Sequence, residues 1–207
     1  MPSVYDLKPR FQALLRPLLR GLAGLGFTAN GLTLLALLGS LAVGGLVGWR
    51  APADPAWLLA LPLWLFLRMA LNALDGMLAR ELDMRSDLGA VLNEVGDVLS
   101  DCGLYLPLAL VAPVALWPVV LFSLLAVLTE LCGLLGQALG GARQYQGPMG
   151  KSDRAFVVGA LALVTALRPH ALAFWPFVFG LAAALAAWSC LRRCQAALAE
   201  RAAARRG

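Results

Sequence analysis

Six runs of mainly apolar residues dominate the chain, near 31–49, 57–79, 88–111, 115–139, 155–168 and 171–191. A run of roughly 18 or more such residues can cross the hydrocarbon core of a bilayer as a helix. The fifth run is shorter. None of the runs alternates apolar and polar residues with period 2, so a transmembrane β-barrel is excluded. The expected fold class is an all-α polytopic membrane protein in which six transmembrane helices form one domain. Of the 207 residues, 60% are hydrophobic and 14% charged, where a soluble domain averages about 45–50% apolar and about 25% charged.

A formal charge of +5 raises nucleic acid as a partner, but the distribution of that charge points elsewhere. With the N-terminus placed in the cytoplasm, only Arg50 and Arg168 of the 17 Lys and Arg residues fall on the outer side. Arg68 lies inside a span, and the rest, from Lys8 to Arg206, collect on the inner side. This asymmetry obeys the positive-inside rule and sets both termini in the cytoplasm, where basic residues are also drawn to anionic headgroups. Basic residues do not interleave with aromatics, so nucleic acid is set aside.

Residues 1–26 read as an amphipathic segment. Leu7, Phe11, Leu14, Leu15, Leu18 and Leu19 recur at helical spacing among Arg10, Arg16 and Arg20, the pattern of a cytoplasmic interfacial helix. A plain basic flank of the first span is the alternative. The segment has neither the apolar core nor the cleavage site of a signal peptide. Residues 27–194 carry the six spans, and 195–207 form a basic cytoplasmic tail. Cys102, Cys132, Cys190 and Cys194 share no oxidising loop and read as reduced, structural thiols. Cys190 and Cys194 lack a nearby His and make a poor zinc site. His170 falls on the outer side, far from the other polar residues.

Ionisable residues inside a membrane are costly and face a cavity or one another. Arg68, Asp75, Glu94, Asp97, Asp101 and Glu130 all fall within expected spans. Asn72, Asp75, Gly76 and Ala79 share an arc of about 100° on the second span, and Asn93, Asp97 and Asp101 one of about 80° on the third. The two spans turn near Met84, which brings Asp75 level with Asn93 and Asn72 level with Asp97. Two oxygen-rich faces therefore meet below the cytoplasmic surface, where a hard divalent cation could bind together with phosphate. Gly76 and Gly89 permit a close approach of backbone or substrate. Arg68 and Asp101 lie at nearly equal depth beneath this face and are expected to form a buried ion pair, shared with Glu130, that fixes the two helices in register. Arg143, Lys151 and Arg154, at the start of the fifth span, are candidates for an acceptor phosphate. An ordinary positive-inside loop is the alternative for them. GPMGKS among them is not a Walker A loop, since the first glycine is misplaced and no strand precedes it.

The stretch NALDGMLARELDMRSDLGAVLNEVGD, residues 72–97, resembles the signature D-x-x-D-G-x-x-A-R, eight residues, G-x-x-x-D-x-x-x-D of the CDP-alcohol phosphatidyltransferases. Asp75, Gly76, Ala79, Arg80, Gly89 and Asp97 match it at the required spacing. FTANGLTLL, RMALNALDGMLARE and GPMGKSDRA extend the resemblance to the whole chain and are similar to a bacterial inner-membrane subgroup. Two positions depart, since Asn72 and Asn93 stand where the signature has its first and third aspartates.

The resemblance implies transfer of a phosphatidyl group from a CDP-linked lipid, such as CDP-diacylglycerol, to a hydroxyl acceptor with release of CMP. It implies Mg²⁺ or Mn²⁺, one or two ions, held by Asp75 and Asp97 with Asn72 and Asn93 as neutral ligands. Glu94 would restore one of the two lost charges. Asp97 would also be the general base. Arg80 would hold a CDP phosphate, with a positive-inside anchor as its alternative. Gly76 and Ala79 would leave room for the nucleotide, with close helix packing as theirs. A homodimer in the bacterial inner membrane is implied in the same way. The rival readings are a non-catalytic subunit of a lipid-synthesis complex and an ion-coupled transporter. The latter would usually show duplicated halves with broken helices, and none are found.

Overall fold

The computed structural model describes residues 4–205, with side chains from residue 13 onward. The expected apolar contributions of Leu7 and Phe11 therefore lie outside the described side chains. Among the described residues every regular element is helical. In chain order these are α1 (Val4–Gly24), α2 (Ala29–Arg50), α3 (Ala60–Glu81), α4 (Asp87–Tyr105), α5 (Leu108–Val111), α6 (Leu116–Ala138), α7 (Lys151–Leu167) and α8 (Trp175–Ala204).

Local chemistry sets the ends of these helices. Thr28 caps α2 by accepting from the Gly31 amide at 3.1 Å, and Ser86 caps α4 by accepting from Gly89 at 3.0 Å. Such caps satisfy an amide that has no partner inside its helix. Three short 3₁₀ turns open with proline, at Pro55–Leu59, Pro113–Ala115 and Pro169–Phe174, and lead into α3, α6 and α8. Proline suits a first helical position because its missing N–H has no role there. Pro107 interrupts the third apolar run and divides it into α4 and the single turn α5.

Among the described residues, four helical segments are long and apolar enough to cross a membrane: Ala29–Arg50, Pro55–Glu81, Pro113–Ala138 and Pro169–Ala204. The two expected spans that fall short are α4 and α7. Asp87, Glu94, Asp97 and Asp101 load α4 with charge, and α7 has only 17 residues. Large apolar side chains cover the outer faces, among them Leu63, Phe66, Trp117, Phe156 and Phe177. That lipid-like exterior and the apolar helices make this a membrane protein.

Helix α2 packs against both α3 and α4, α6 packs against α8 and α4, and α7 lies on α3. Gly44 of α2 meets the Gly103 carbonyl of α4 so closely that no Cβ fits between them. Small residues of this kind let helix backbones approach where hydrophobic burial gives little drive. Tyr105, Phe122, Phe179 and Trp175 meet in turn in tilted or edge-on contacts, with centroids 5.4–5.5 Å apart. Helix α1 buries Leu15 and Leu19 against α3 and leaves Leu14 and Leu18 exposed. Helix α8 continues to Ala204 through the stretch expected as a tail, and Ala197 there is buried.

Candidate active site

The polar centre lies where α3, α4, α6 and α7 converge. Its deepest layer is a buried ion network. Arg68 donates from Nη1 to Asp101 Oδ1 at 2.6 Å, joining α3 to α4. The other Asp101 oxygen accepts from Arg154 Nε at 3.2 Å and Nη2 at 2.9 Å. Arg154 also donates to Glu130 at 2.7 Å, to the Thr129 hydroxyl at 2.7 Å and to the Met149 carbonyl at 3.2 Å. It is wholly buried. The expectation that Arg154 holds an acceptor phosphate does not fit this placement, because protein groups already take up its guanidinium. The expected sharing of the Arg68–Asp101 pair with Glu130 runs instead through Arg154.

Above this floor sits the signature face. Asp97 Oδ1 takes an ion pair from Lys151, a contact from Arg68 Nη2 at 3.4 Å and one from Asn72 Nδ2 at 3.4 Å. Asp75 is 6% exposed and accepts from Thr33 Oγ1 at 3.0 Å. Among the described residues no cation lies within ion-pairing distance of it. Asn93 and Asp97 line a polar cavity of about 370 Å³ with Glu130, Arg143, Lys151 and Arg193. Asn72 and Arg68 border a second, apolar groove of about 510 Å³ between α3 and α7. Lys151 and Ser152 line both.

Glu94 is not placed where its expected role requires. Its carboxylate pairs with Arg143, which also donates to Glu130 at 2.7 Å. Among the described residues no three His, Cys, Asp or Glu side chains are grouped to hold a metal, so Glu94 does not complete a ligand set with Asp75 and Asp97. Burial holds the Arg143 guanidinium below its ordinary pKa. The Arg80 guanidinium lies over Gly76, where a Cβ would sit 3.1 Å from it. Gly89 gives room to Asn30, whose Oδ1 would be 2.6 Å from a Cβ there. Gly76, Ala79, Arg80 and Gly89 line neither cavity.

Several residues of the site were not singled out from sequence. Arg193 is 3% exposed and donates to the carbonyls of Thr129, at 2.5 Å, and Gln146, at 3.3 Å. Its signal was present, since Phe179, Ala182, Ala186, Ser189 and Arg193 continue one buried helical face. Glu200 accepts from the Ala142 amide at 2.9 Å and from Gln144 at 2.6 Å. Together with Ser189, which accepts from the Met149 amide at 3.2 Å, these α8 side chains hold the loop that carries Arg143 and leads to Lys151. Gly147 in that loop has φ +112 and packs against Ser189, a conformation and a contact that suit only glycine.

A family model described as CDP-alcohol phosphatidyltransferase matches residues 27–188. The chain belongs to that family. Inner membrane protein YnbA of Escherichia coli (strain K12) is 45% identical over 196 residues, spanning 95% of this chain and 96% of that protein. Two crystal structures of the Mycobacterium tuberculosis phosphatidylinositol phosphate synthase PgsA1 share the fold. One has CDP-DAG bound, with TM-score 0.72 and 23% identity over 87% of this chain and 92% of that one. The other is in complex with manganese and citrate, with TM-score 0.74 and 21% identity over 88% of each chain. As a member of the CDP-alcohol phosphatidyltransferases, the chain is an enzyme of phosphatidyl transfer.

The donor set bears on the divalent cation that this family implies. Asp75, Asp97, Asn72 and Asn93 offer oxygens, the hard ligands that Mg²⁺ and Mn²⁺ prefer. Asp97 Oδ2 accepts from nothing among the described residues. In chemistry the residues fit such an ion. In charge they supply two carboxylates.

Proposed function

We propose that the protein moves the phosphatidyl group of a CDP-linked lipid, with CDP-diacylglycerol as the simplest donor, to the hydroxyl of a small phosphorylated alcohol. The observation that carries this reading is the meeting of the two cavities at Lys151, beside Asp97. The groove between α3 and α7 is walled by Leu65, Phe66, Met69, Phe156 and Leu163, surfaces suited to acyl chains. The polar cavity presents Arg143, Lys151 and Arg193, cations suited to an acceptor phosphate. Donor and acceptor would thus reach the same carboxylate from opposite sides.

In this reading Asp97 takes the proton from the acceptor hydroxyl. The freed oxygen forms a bond to the phosphorus that bears the lipid, and the bond from that phosphorus to the CMP oxygen breaks. A bound Mg²⁺ or Mn²⁺ would neutralise charge on the pyrophosphate. Asp75, Asp97, Asn72 and Asn93 would hold it. Arg80 stands near Gly76, available to a nucleotide phosphate. One wall of the polar cavity is the loop that α8 clamps through Ser189, Arg193 and Glu200.

The finer architecture belongs to the same proposal. With α4 and α7 counted beside their longer neighbours, six helices span the bacterial inner membrane, both termini lie in the cytoplasm, and α1 rests on the inner leaflet. A homodimer follows the family resemblance. The test is release of labelled CMP from CDP-diacylglycerol by purified protein, with Mg²⁺ or Mn²⁺ and a panel of alcohols. Release that needs a phosphorylated alcohol is expected. No release with any acceptor, or full release in excess EDTA, would overturn the reading.

A further inference from the structure

The geometry points to a site built for one divalent cation, in which the Lys151 ammonium does the work of a second. This inference rests on the phosphatidyl-transfer reading above. Its first support is the charge available. The family signature has four aspartates, and here two of them are Asn72 and Asn93. Glu94, the carboxylate next to Asn93, is paired with Arg143 and does not compensate. Two dications would bring four positive charges to Asp75 and Asp97 alone.

The second support is the state of Asp97. Its Oδ1 already faces the Lys151 ammonium, the Arg68 guanidinium and the Asn72 amide N–H. Amides that replace carboxylates lower the negative charge, and Asn72 here turns its donor end toward Asp97. A cation of the protein thus stands against the same carboxylate that the resemblance gives to metal.

The third support is the balance of the whole cluster. The ion pairs link Glu94, Asp97, Asp101 and Glu130 with Arg68, Arg143, Lys151, Arg154 and Arg193 in one network. Asp75 stands outside it, with no cation in pairing range among the described residues. Adding Asp75 balances the five cations of the network with five carboxylates, while Asp153, which also lines the polar cavity, accepts from the Gly150 amide. One dication then matches the two negative charges of a CDP pyrophosphate, and a second would leave an excess.

Lys151 is placed for this role. It is the first residue of α7, its side chain is 32% exposed, and it borders both cavities. Its ammonium has three donors on a flexible stem. On donor binding it turns from Asp97 Oδ1 to a pyrophosphate oxygen. It thereby balances charge on the leaving CMP and leaves the Asp97 carboxylate ready for the acceptor proton. Arg68 cannot make this exchange, because its other nitrogen is locked to buried Asp101.

The experiment counts ions. Mn²⁺ is titrated into the purified full-length protein with saturating CDP, and bound ion is read by electron paramagnetic resonance. CMP release is assayed on the same preparation. We expect one Mn²⁺ per chain for the wild type, and one for Lys151→Gln with CMP release down about 10²-fold. Restoring the aspartates while removing the lysine, Asn72→Asp/Asn93→Asp/Lys151→Gln, should raise the count to two. Two ions per wild-type chain with CMP release intact would overturn this inference and leave the phosphatidyl-transfer reading standing. So would a Lys151→Gln variant as active as wild type. A wild type that releases no CMP under any condition would instead remove the reading beneath it. Should the triple variant fail to fold, the wild-type count and the Lys151→Gln rate still decide.

Discussion

Two layers of one polar cluster differ sharply. In the floor, Arg68, Asp101, Arg154 and Glu130 are buried, and their charged groups meet one another or Thr129 and Met149 at mostly 2.6–3.2 Å. In the signature face above, Asp97 pairs with the half-exposed Lys151 and makes longer contacts with Arg68 and Asn72, both at 3.4 Å, and among the described residues Asp75 has only a hydroxyl partner besides its own helix. Buried charges bonded mainly to one another hold helices in place, whereas charges with spare valence can bind and react. The same residue types, Arg and Asp, thus serve structure in one layer and chemistry in the next.

The largest expected effect tests the floor. Arg154→Met leaves Asp101 and Glu130 short of a partner and should cost about 3–5 kcal/mol, read as a large drop in the thermal unfolding midpoint in detergent. A midpoint near wild type would show that the floor does not hold the fold. The exchange Arg68→Asp with Asp101→Arg should fail to restore stability, since it sets a guanidinium against Arg154. Recovery would mean that Arg68 and Asp101 form an isolated pair.

Next is the signature face. Asp97→Asn should lower CMP release by about 10²–10⁴-fold, the usual contribution of a positioned base, while the unfolding midpoint stays close to wild type. A large fall in stability with little loss of rate would reverse the assignment of the two layers.

Smaller effects mark the edge of the cluster. Glu200 is exposed, so Glu200→Gln should cost about 1 kcal/mol or less in stability. Its readout is a several-fold rise in acceptor KM with kcat kept, because the loop bearing Arg143 loosens. An unchanged KM would show that the loop needs no clamp from α8. Smallest of all, Glu94→Gln should leave Mn²⁺ affinity unchanged, because the Glu94 carboxylate serves Arg143. A marked fall in affinity would return Glu94 to the metal site.

The comparison also explains which parts of the site could be read in advance. Asn72, Asp75, Asn93 and Asp97 lie within one hairpin, where helical periodicity alone relates their positions. Arg68 and Asp101 were paired by the same count of depth from the turn near Met84, and the structure joins them at 2.6 Å. Arg154, Arg193 and Glu200 were misread or missed because their partners are far off in sequence, with Arg154 lying 53 residues from Asp101 and Glu200 lying 58 from Ala142. To a hydropathy pattern, a basic residue at the end of an apolar run is a topology anchor, whether or not it turns inward.

By itself, then, the sequence determined the helical membrane character and the polar face of Asn72, Asp75, Asn93 and Asp97, because hydropathy, spacing and residue type are local properties of the chain. Only the tertiary structure decided where the cations go. It turned Arg154 into the buried link between Asp101 and Glu130, set Glu94 on Arg143, and put Lys151 between two cavities. The reason is physical: an ion pair in a low-dielectric interior depends on which helices meet and at what depth. Those meetings are set by close packing such as that of Gly44 on Gly103, which no single helix reveals.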